Sequence, residues 1–135
     1  MEPLDAIRQV LDARAEVRLA YVFGSTVSGQ PRASSDVDVA VLFDPEPAPR
    51  DLDALATELQ ATARRAVDLV VLNTAPPLLA HRIIKTGRRL VCRAESERVR
   101  FETLAAARYL DTAHLRRVQH AYLRERADAF RARRP

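Results

Sequence analysis

Residues 17–43 read VRLAYVFGSTVSGQPRASSDVDVAVLF, and they are the most informative part of the chain. Its two ends, residues 17–23 and 37–43, are rich in β-branched and aromatic side chains, which predicts two buried strands. Two of the three glycines of the chain lie between these strands, so backbone freedom is concentrated there. The stretch is therefore predicted to form a strand, a connection that contains a turn, and a second strand.

A Gly-Ser turn and a pair of carboxylates lie in this stretch. Ten residues separate Gly24 and Ser25 from Asp36 and Asp38, a spacing that a random chain of this length contains roughly once in a thousand cases. Gly24 lets backbone amides approach phosphate oxygens, and Ser25 can donate its hydroxyl. Because strand side chains alternate, Asp36 and Asp38 are expected on one side, roughly 6 to 7 Å apart along the chain. Carboxylates so placed can share a divalent cation, which would also relieve their repulsion.

A third carboxylate interrupts the apolar segment at residues 67–72, which is predicted to be another strand. Asp68 in such a run is unfavourable unless it has a partner. If this strand pairs beside the second one, Asp68 faces the same cation as the other two carboxylates. The alternative is that Asp68 lies at an exposed strand start, just after two arginines.

These residues resemble the nucleotidyltransferases of the polymerase-β superfamily, and most closely the minimal nucleotidyltransferase (MNT) antitoxins that are paired with HEPN ribonuclease toxins. The matching positions are Gly24, Ser25, Asp36, Asp38 and Asp68. The resemblance covers most of the chain. It departs at Ser28, where such families often carry a basic residue, and Arg32 could supply the charge instead.

The resemblance implies an α/β fold with a small mixed β-sheet, flanking helices and a helical C-terminal tail. It implies an enzyme that transfers AMP from ATP to a tyrosine of a cognate HEPN toxin and so neutralises it. Asp36, Asp38 and Asp68 would be its catalytic residues and the ligands of two Mg²⁺ ions, with Gly24 and Ser25 binding the nucleotide. Two alternatives stay open: a small-molecule nucleotidyltransferase like those that inactivate aminoglycosides, and a module that binds a toxin without chemistry.

Amphipathic segments predict helices around the strands. They are residues 3–15, a segment that begins at Asp51 or Leu52, residues 78–86 before Gly87, and most of residues 97–135 with one break near Asp111. A short strand is predicted at residues 90–92. The proline-rich residues 44–50 are predicted to be a loop.

The chain is long enough for one hydrophobic core, with 135 residues of which 47% are hydrophobic. We predict a single domain with a nucleotidyltransferase core at residues 1–96 and a helical tail at residues 97–135, packed on the core or on a partner. The tail carries ten arginines and five acidic residues, which give it a net charge of +5. Because the net charge of the whole chain is +4, the core carries −1.

The arginines of the tail are typical of a solvated helical surface, and a face that binds a partner protein is the second interpretation. These arginines spread around a helix and aromatic residues are scarce, so nucleic acid is not an expected partner. An apolar seam on the tail could bind a helix of a partner protein or of a second copy of the chain in a homodimer. The seam consists of Leu104, Ala107, Leu115, Val118 and Tyr122.

Composition excludes other classes of protein. The sequence contains no run of roughly 18 apolar residues and begins without the features of a signal peptide, so a cytoplasmic protein with no membrane partner is expected. Cys92 is the only cysteine, which excludes a disulfide or a thiolate zinc site within one chain.

Overall fold

The computed structural model describes residues 2–24 and 36–133. Helices and strands alternate through most of these residues. In chain order they are α1 Pro3–Asp12, β1 Val17–Phe23, β2 Val37–Phe43, α2 Pro49–Ala63, β3 Val67–Val71, α3 Pro77–Thr86, β4 Arg88–Cys92, α4 Glu95–Asp111 and α5 Ala113–Ala132.

The four strands form one mixed sheet in the order β3-β2-β1-β4. β1 is antiparallel to both β2 and β4, whereas β2 and β3 are parallel. β4 begins at Arg88, two residues before its predicted start, because its pairing with β1 extends to Val22. The predicted fold class, a small mixed sheet with flanking helices and a helical tail, is confirmed.

Both faces of the sheet are covered by helices. On one face, Ile7 of α1 and Leu59 of α2 pack with Val39 of β2. On the other face, Ile83 of α3 packs with Ala40. All of these side chains are completely buried. The neighbouring residues 39 and 40 belong to opposite faces because side chains alternate along a strand.

Three helices begin with a proline at the first helical position, namely Pro3, Pro49 and Pro77. A proline is well suited to this position, because its missing N–H would have no partner there and its φ is already helical. The predicted start of α2 at Asp51 or Leu52 is therefore two or three residues late. Proline marks the beginning of the helix here and not the last residue of a loop.

The ends of α1 and α3 also have local causes. α1 stops at Asp12, before the predicted end near Ala15, because hydrogen-bonded turns already connect it to β1. α3 ends at Gly87 as predicted, although Gly87 has an extended backbone with a φ of −79°. A Cβ there would be closer than 3.0 Å to the carbonyl oxygen of Ile83 and 3.2 Å from that of Val22. Close approach of α3 to β1 therefore requires glycine.

α4 is joined to the sheet by polar contacts as well as by its buried Ala105. Arg18 of β1 donates a hydrogen bond of 2.9 Å to Glu97, and the Tyr21 hydroxyl donates one of 2.8 Å to Glu102. The helix gives way to α5 at Thr112, as predicted near Asp111. The division into a core at residues 1–96 and a tail at residues 97–135 remains a prediction.

α5 has no buried residue and is connected to the rest of the protein through its first turn. The ring of Tyr109 in α4 stacks on His81 of α3 at a centroid distance of 3.6 Å. The Arg116 guanidinium lies 4.0 Å from the centroid of the same ring and donates a hydrogen bond to the Tyr109 carbonyl oxygen. Across the described ranges, no helix is both long and apolar enough to span a bilayer.

Candidate active site

One end of the sheet brings together three of the predicted site residues. β1 ends at Phe23, just before Gly24, and β2 begins just after Asp36. Phe23 is the register partner of Asp38, and Asp38 is the register partner of Asp68. Gly24, Asp38 and Asp68 therefore lie on three adjacent strands or directly beyond them, as the sequence predicted.

Asp38 and Asp68 are direct neighbours in the parallel pairing of β2 and β3. Adjacent strands lie about 4.8 Å apart. Because side chains alternate between the two faces of a sheet, Asp38 and Asp68 both lie on the face that α3 covers. Asp68 is exposed near the start of β3, as the alternative interpretation expected, but it is nonetheless placed beside Asp38. The predicted proximity of the second and third strands is confirmed.

The carboxylates influence one another electrostatically. Burial, together with the negative charges of Asp68 and Asp36 and a hydrogen bond with Asp68, raises the pKa of Asp38. Each of these effects disfavours a second negative charge in this corner of the protein. A positively charged ligand would offset them.

Gly24 is required by the position of Asp38. Its φ is +80°, in the left-handed region that glycine favours. A Cβ atom at this position would also lie closer than 3.0 Å to Oδ2 of Asp38, a separation that real Cβ atoms essentially never show. Gly24 was predicted to let a phosphate approach, and the structure adds that it leaves room for this carboxylate. Ser25, like Ser28 and Arg32, lies outside the described residues, so its role in binding the nucleotide stays a prediction.

The donor chemistry of the carboxylates fits magnesium, which prefers oxygen ligands. A cation beside Asp38 would also relieve the repulsion that contributes to its raised pKa. Within residues 2–24 and 36–133, however, no group of three or more Asp, Glu, His or Cys side chains is close enough to hold a metal ion. The roles of Asp36, Asp38 and Asp68 as metal ligands remain a prediction.

A buried polar contact between β1 and α4 was not predicted from the sequence. Tyr21 is only 1% exposed, and its hydroxyl donates to Glu102, which in turn accepts a hydrogen bond of 2.8 Å from Arg98. Burial and then the contact with Glu102 raise the pKa of Tyr21. The contact connects α4 to β1, the strand that leads to Gly24. A tyrosine within an apolar strand was the available signal, because a buried hydroxyl needs a partner.

Sequence comparisons agree with this geometry. A family model described as "Polymerase beta, Nucleotidyltransferase" matches residues 5–96, which include all five predicted site residues. A protein of Methanocaldococcus jannaschii, whose name proposes that it is a protein adenylyltransferase, is 34% identical over 68 residues. This alignment covers 50% of the present chain and 73% of that protein.

Similar solved structures extend the likeness to most of the chain. A chain in a crystal structure of a toxin-antitoxin with AMP-PNP is 26% identical, with a TM-score of 0.74, and the match covers 90% of this chain and 96% of that one. A chain in the structure of a tri-AMPylated Shewanella oneidensis HEPN toxin in complex with MNT antitoxin is 24% identical, with a TM-score of 0.70. That match covers 91% of this chain and 94% of the other, and at this identity it shows the fold alone.

Proposed function

Because the chain belongs to the polymerase β nucleotidyltransferase family, we propose that it is an antitoxin that transfers AMP from ATP to a tyrosine of a cognate HEPN toxin. The observation that carries this proposal is the register pair of Asp38 and Asp68 beside Gly24. The similar structures, one with AMP-PNP and one with an AMPylated toxin, support the choice of nucleotide and acceptor. We also propose the cytoplasm as the place of the reaction, since ATP is the substrate.

The chemistry assigns a separate task to each side chain. The tyrosine hydroxyl attacks the α-phosphorus, a new O–P bond forms, and the bond to pyrophosphate breaks. Asp68, which is exposed beside Asp38, would accept the hydroxyl proton. Gly24 and Ser25 would bind the triphosphate. Two Mg²⁺ ions held by Asp36, Asp38 and Asp68 would supply neutralisation of the phosphate charge and activation of the hydroxyl.

The exposure of the site favours a protein acceptor over a small molecule. Asp36 and Asp68 are both exposed, so a side chain presented by another protein can reach them. A protein acceptor would also enclose the site with its own side chains. The alternatives of a small-molecule nucleotidyltransferase and of a module without chemistry remain as outcomes of the test below.

α5 supplies a surface for such a protein. Its five largest apolar side chains are each more than half exposed, namely Leu115, Val118, Tyr122, Leu123 and Phe130. The helix carries five arginines and two acids, which gives a net charge of +3. A helical face of the toxin with apolar and acidic side chains complements this surface in both respects.

The proposal is tested by labelling ATP at either its α- or its γ-phosphate. The chain is incubated with each ATP, magnesium and the HEPN protein expected from the neighbouring reading frame. We expect the α-label on the HEPN protein and no γ-label there. Transfer of the γ-label would indicate a kinase reaction, and absence of both labels from a bound partner would favour a module without chemistry. Absence of both labels from a HEPN protein that does not bind the chain would favour a small-molecule acceptor.

A further inference from the structure

The three tyrosines of the chain, all of them among the described residues, differ in how accessible their hydroxyls are. Tyr21 is 1% exposed, and its hydroxyl donates to Glu102. Tyr109 is half-buried, and its ring stacks on His81. Tyr122 is 55% exposed and lies on α5, which has no buried residue. A chain proposed to transfer AMP to tyrosine therefore carries an exposed tyrosine on its own surface.

An arginine contacts the Tyr122 hydroxyl directly. Arg126, one helical turn further along α5, donates a hydrogen bond of 2.8 Å to Oη of Tyr122, and its guanidinium lies 5.6 Å from the centroid of the ring. Because Tyr122 accepts this hydrogen bond, the contact does not use the hydrogen of the hydroxyl, which can pass to a base. The guanidinium would stabilise the negative charge that develops on the oxygen as this proton leaves.

The surroundings of Tyr122 also complement a nucleotide phosphate. A groove of about 330 Å³ on α5 is lined by Tyr122, Arg126, Ala129, Phe130 and Arg133. In the part of the chain that the structure describes, neither arginine has a carboxylate within 4.0 Å. A guanidinium can bind two phosphate oxygens at once. The hydroxyl therefore lies beside positive charge that complements the phosphate it would receive.

Tyr122 lies beyond the contacts that connect α5 to the rest of the protein. These contacts are in the first turn of the helix, where Arg116 meets α4. Tyr122 follows Thr112, the residue at which α4 gives way to α5, by about 15 Å of helix. The carboxylates of the candidate active site are accessible as well, because Asp36 and Asp68 are exposed. The active site of a second copy of the chain can therefore receive Tyr122.

We propose that the chain also transfers AMP to Tyr122 of a second copy of itself, with Arg126 beside the acceptor hydroxyl. This inference rests on the proposed function, because the same active site and a nucleoside triphosphate carry out the reaction. Oη of Tyr122 attacks the α-phosphorus, a new O–P bond forms, and the bond to pyrophosphate breaks. The hydroxyl proton passes to Asp68 of the copy that binds the nucleotide.

The chain alone, incubated with magnesium and ATP labelled at the α-phosphate, tests this proposal. Tandem mass spectrometry should find AMP on Tyr122. Tyr122→Phe should reduce the label on the chain to background, whereas Tyr109→Phe should keep it. Tyr109→Phe is the matched control, because it also removes a tyrosine hydroxyl but retains the ring that stacks on His81.

The role of Arg126 has its own pair of variants. Arg126→Ala should slow the labelling of Tyr122 by about 10-fold, the effect of one hydrogen bond to a charged group. Arg124→Ala should label at the wild-type rate, because residues two apart on a helix do not face each other. Equal slowing by both substitutions would overturn the role of Arg126 at the hydroxyl.

A mixture of two chains tests whether the reaction occurs between copies. An affinity-tagged Asp38→Asn chain should carry AMP only when untagged wild type is present. A tagged chain with both Asp38→Asn and Tyr122→Phe should carry none under the same conditions. Label on wild type without label on the tagged Asp38→Asn chain would contradict transfer between copies.

A parallel reaction with the HEPN toxin distinguishes failure of this inference from failure of the proposed function. A labelled toxin, together with a chain that stays unlabelled when incubated alone, would overturn transfer to Tyr122 only. Equal labelling of wild type and Tyr122→Phe would overturn it too. If neither the chain nor the toxin became labelled, the proposed function itself would be contradicted.

Discussion

Gly24 and Asp38 lie so close together that a Cβ atom on residue 24 would come within 3.0 Å of Oδ2 of Asp38. The same glycine has a φ of +80°, so the chain turns there at the end of β1. Gly24 thus permits the turn and also leaves the space that the Asp38 carboxylate occupies. The structure of the turn and the geometry of the acids are consequently linked.

This link predicts the effect of Gly24→Ala. The added methyl group must displace the Asp38 carboxylate, and a displacement of about 1 Å can reduce a rate by about 100-fold. The left-handed backbone should also lower the free energy of unfolding by about 1 to 2 kcal/mol. AMP transfer and urea unfolding measure the two effects.

A double-mutant cycle separates the clash from the backbone strain. In an Asp38→Ala background the methyl group no longer meets a carboxylate, so Gly24→Ala should destabilise the protein less than in wild type. Equal destabilisation in both backgrounds would show that only the backbone conformation of Gly24 matters.

Asp68→Asn should separate binding from chemistry. The amide keeps the size of the side chain but cannot accept the proton of the attacking hydroxyl, so turnover should fall by at least about 100-fold. ATP with magnesium should still bind, through Gly24, Ser25, Asp36 and Asp38. Calorimetry and transfer of labelled AMP test the two expectations. Loss of ATP binding together with turnover would make Asp68 an anchor of the nucleotide.

Glu97 predicts how stability depends on pH. A hydrogen bond from Arg18, aided by its charge, lowers the pKa of Glu97 below its ordinary value of 4.5. The ionised Glu97 therefore stabilises the folded state above pH 4.5, and this contribution is lost as the pH falls through the folded-state pKa. Melting temperatures should be lower for Glu97→Gln than for wild type at pH 7.

The difference between the two proteins should shrink towards pH 3. Glu125→Gln is the control, because Glu125 lies on α5, where no side chain is buried. This control should melt like wild type at both pH values. A difference between Glu97→Gln and wild type that stays constant from pH 7 to pH 3 would show that the contact of Arg18 with Glu97 contributes nothing through its charge.

Removal of α5 should uncouple toxin binding from nucleotide binding. A chain that ends after Arg116 keeps the contact of Arg116 with Tyr109 but loses most of the exposed apolar surface of the helix. We expect it to bind ATP with wild-type affinity and to lose its complex with the HEPN toxin in co-purification. An undiminished affinity for the toxin would exclude α5 as the docking surface.

The strands could be predicted from sequence because their signal is local. β1 and β2 have the predicted bounds, since β-branched and aromatic residues occupy four of the seven positions in each segment. The proximity of Asp38 and Asp68 followed from one assumption, that β3 pairs beside β2. Three carboxylates and a glycine turn are useful together only if those strands are adjacent.

Other features depend on partners that are distant in sequence. Tyr21 and Glu102 are separated by 81 positions, and nothing in either segment identifies the other as its partner. The position of Arg88 beside the end of β1 depends on how α3 returns across the sheet, and periodicity does not specify that path. The start of α2 was predicted too late for a different reason, since proline is compatible with both a loop and a first helical turn.

AMP transfer by these carboxylates can be measured by tandem mass spectrometry of the HEPN toxin after incubation with ATP, magnesium and either wild-type chain or Asp38→Asn. We predict AMP on a toxin tyrosine with the wild type and none with the variant. The variant should melt no lower than wild type without magnesium, because the amide removes the repulsion from Asp68 and Asp36. An unmodified toxin in the wild-type reaction, or equal modification by Asp38→Asn, would contradict the assignment of AMP transfer to these carboxylates.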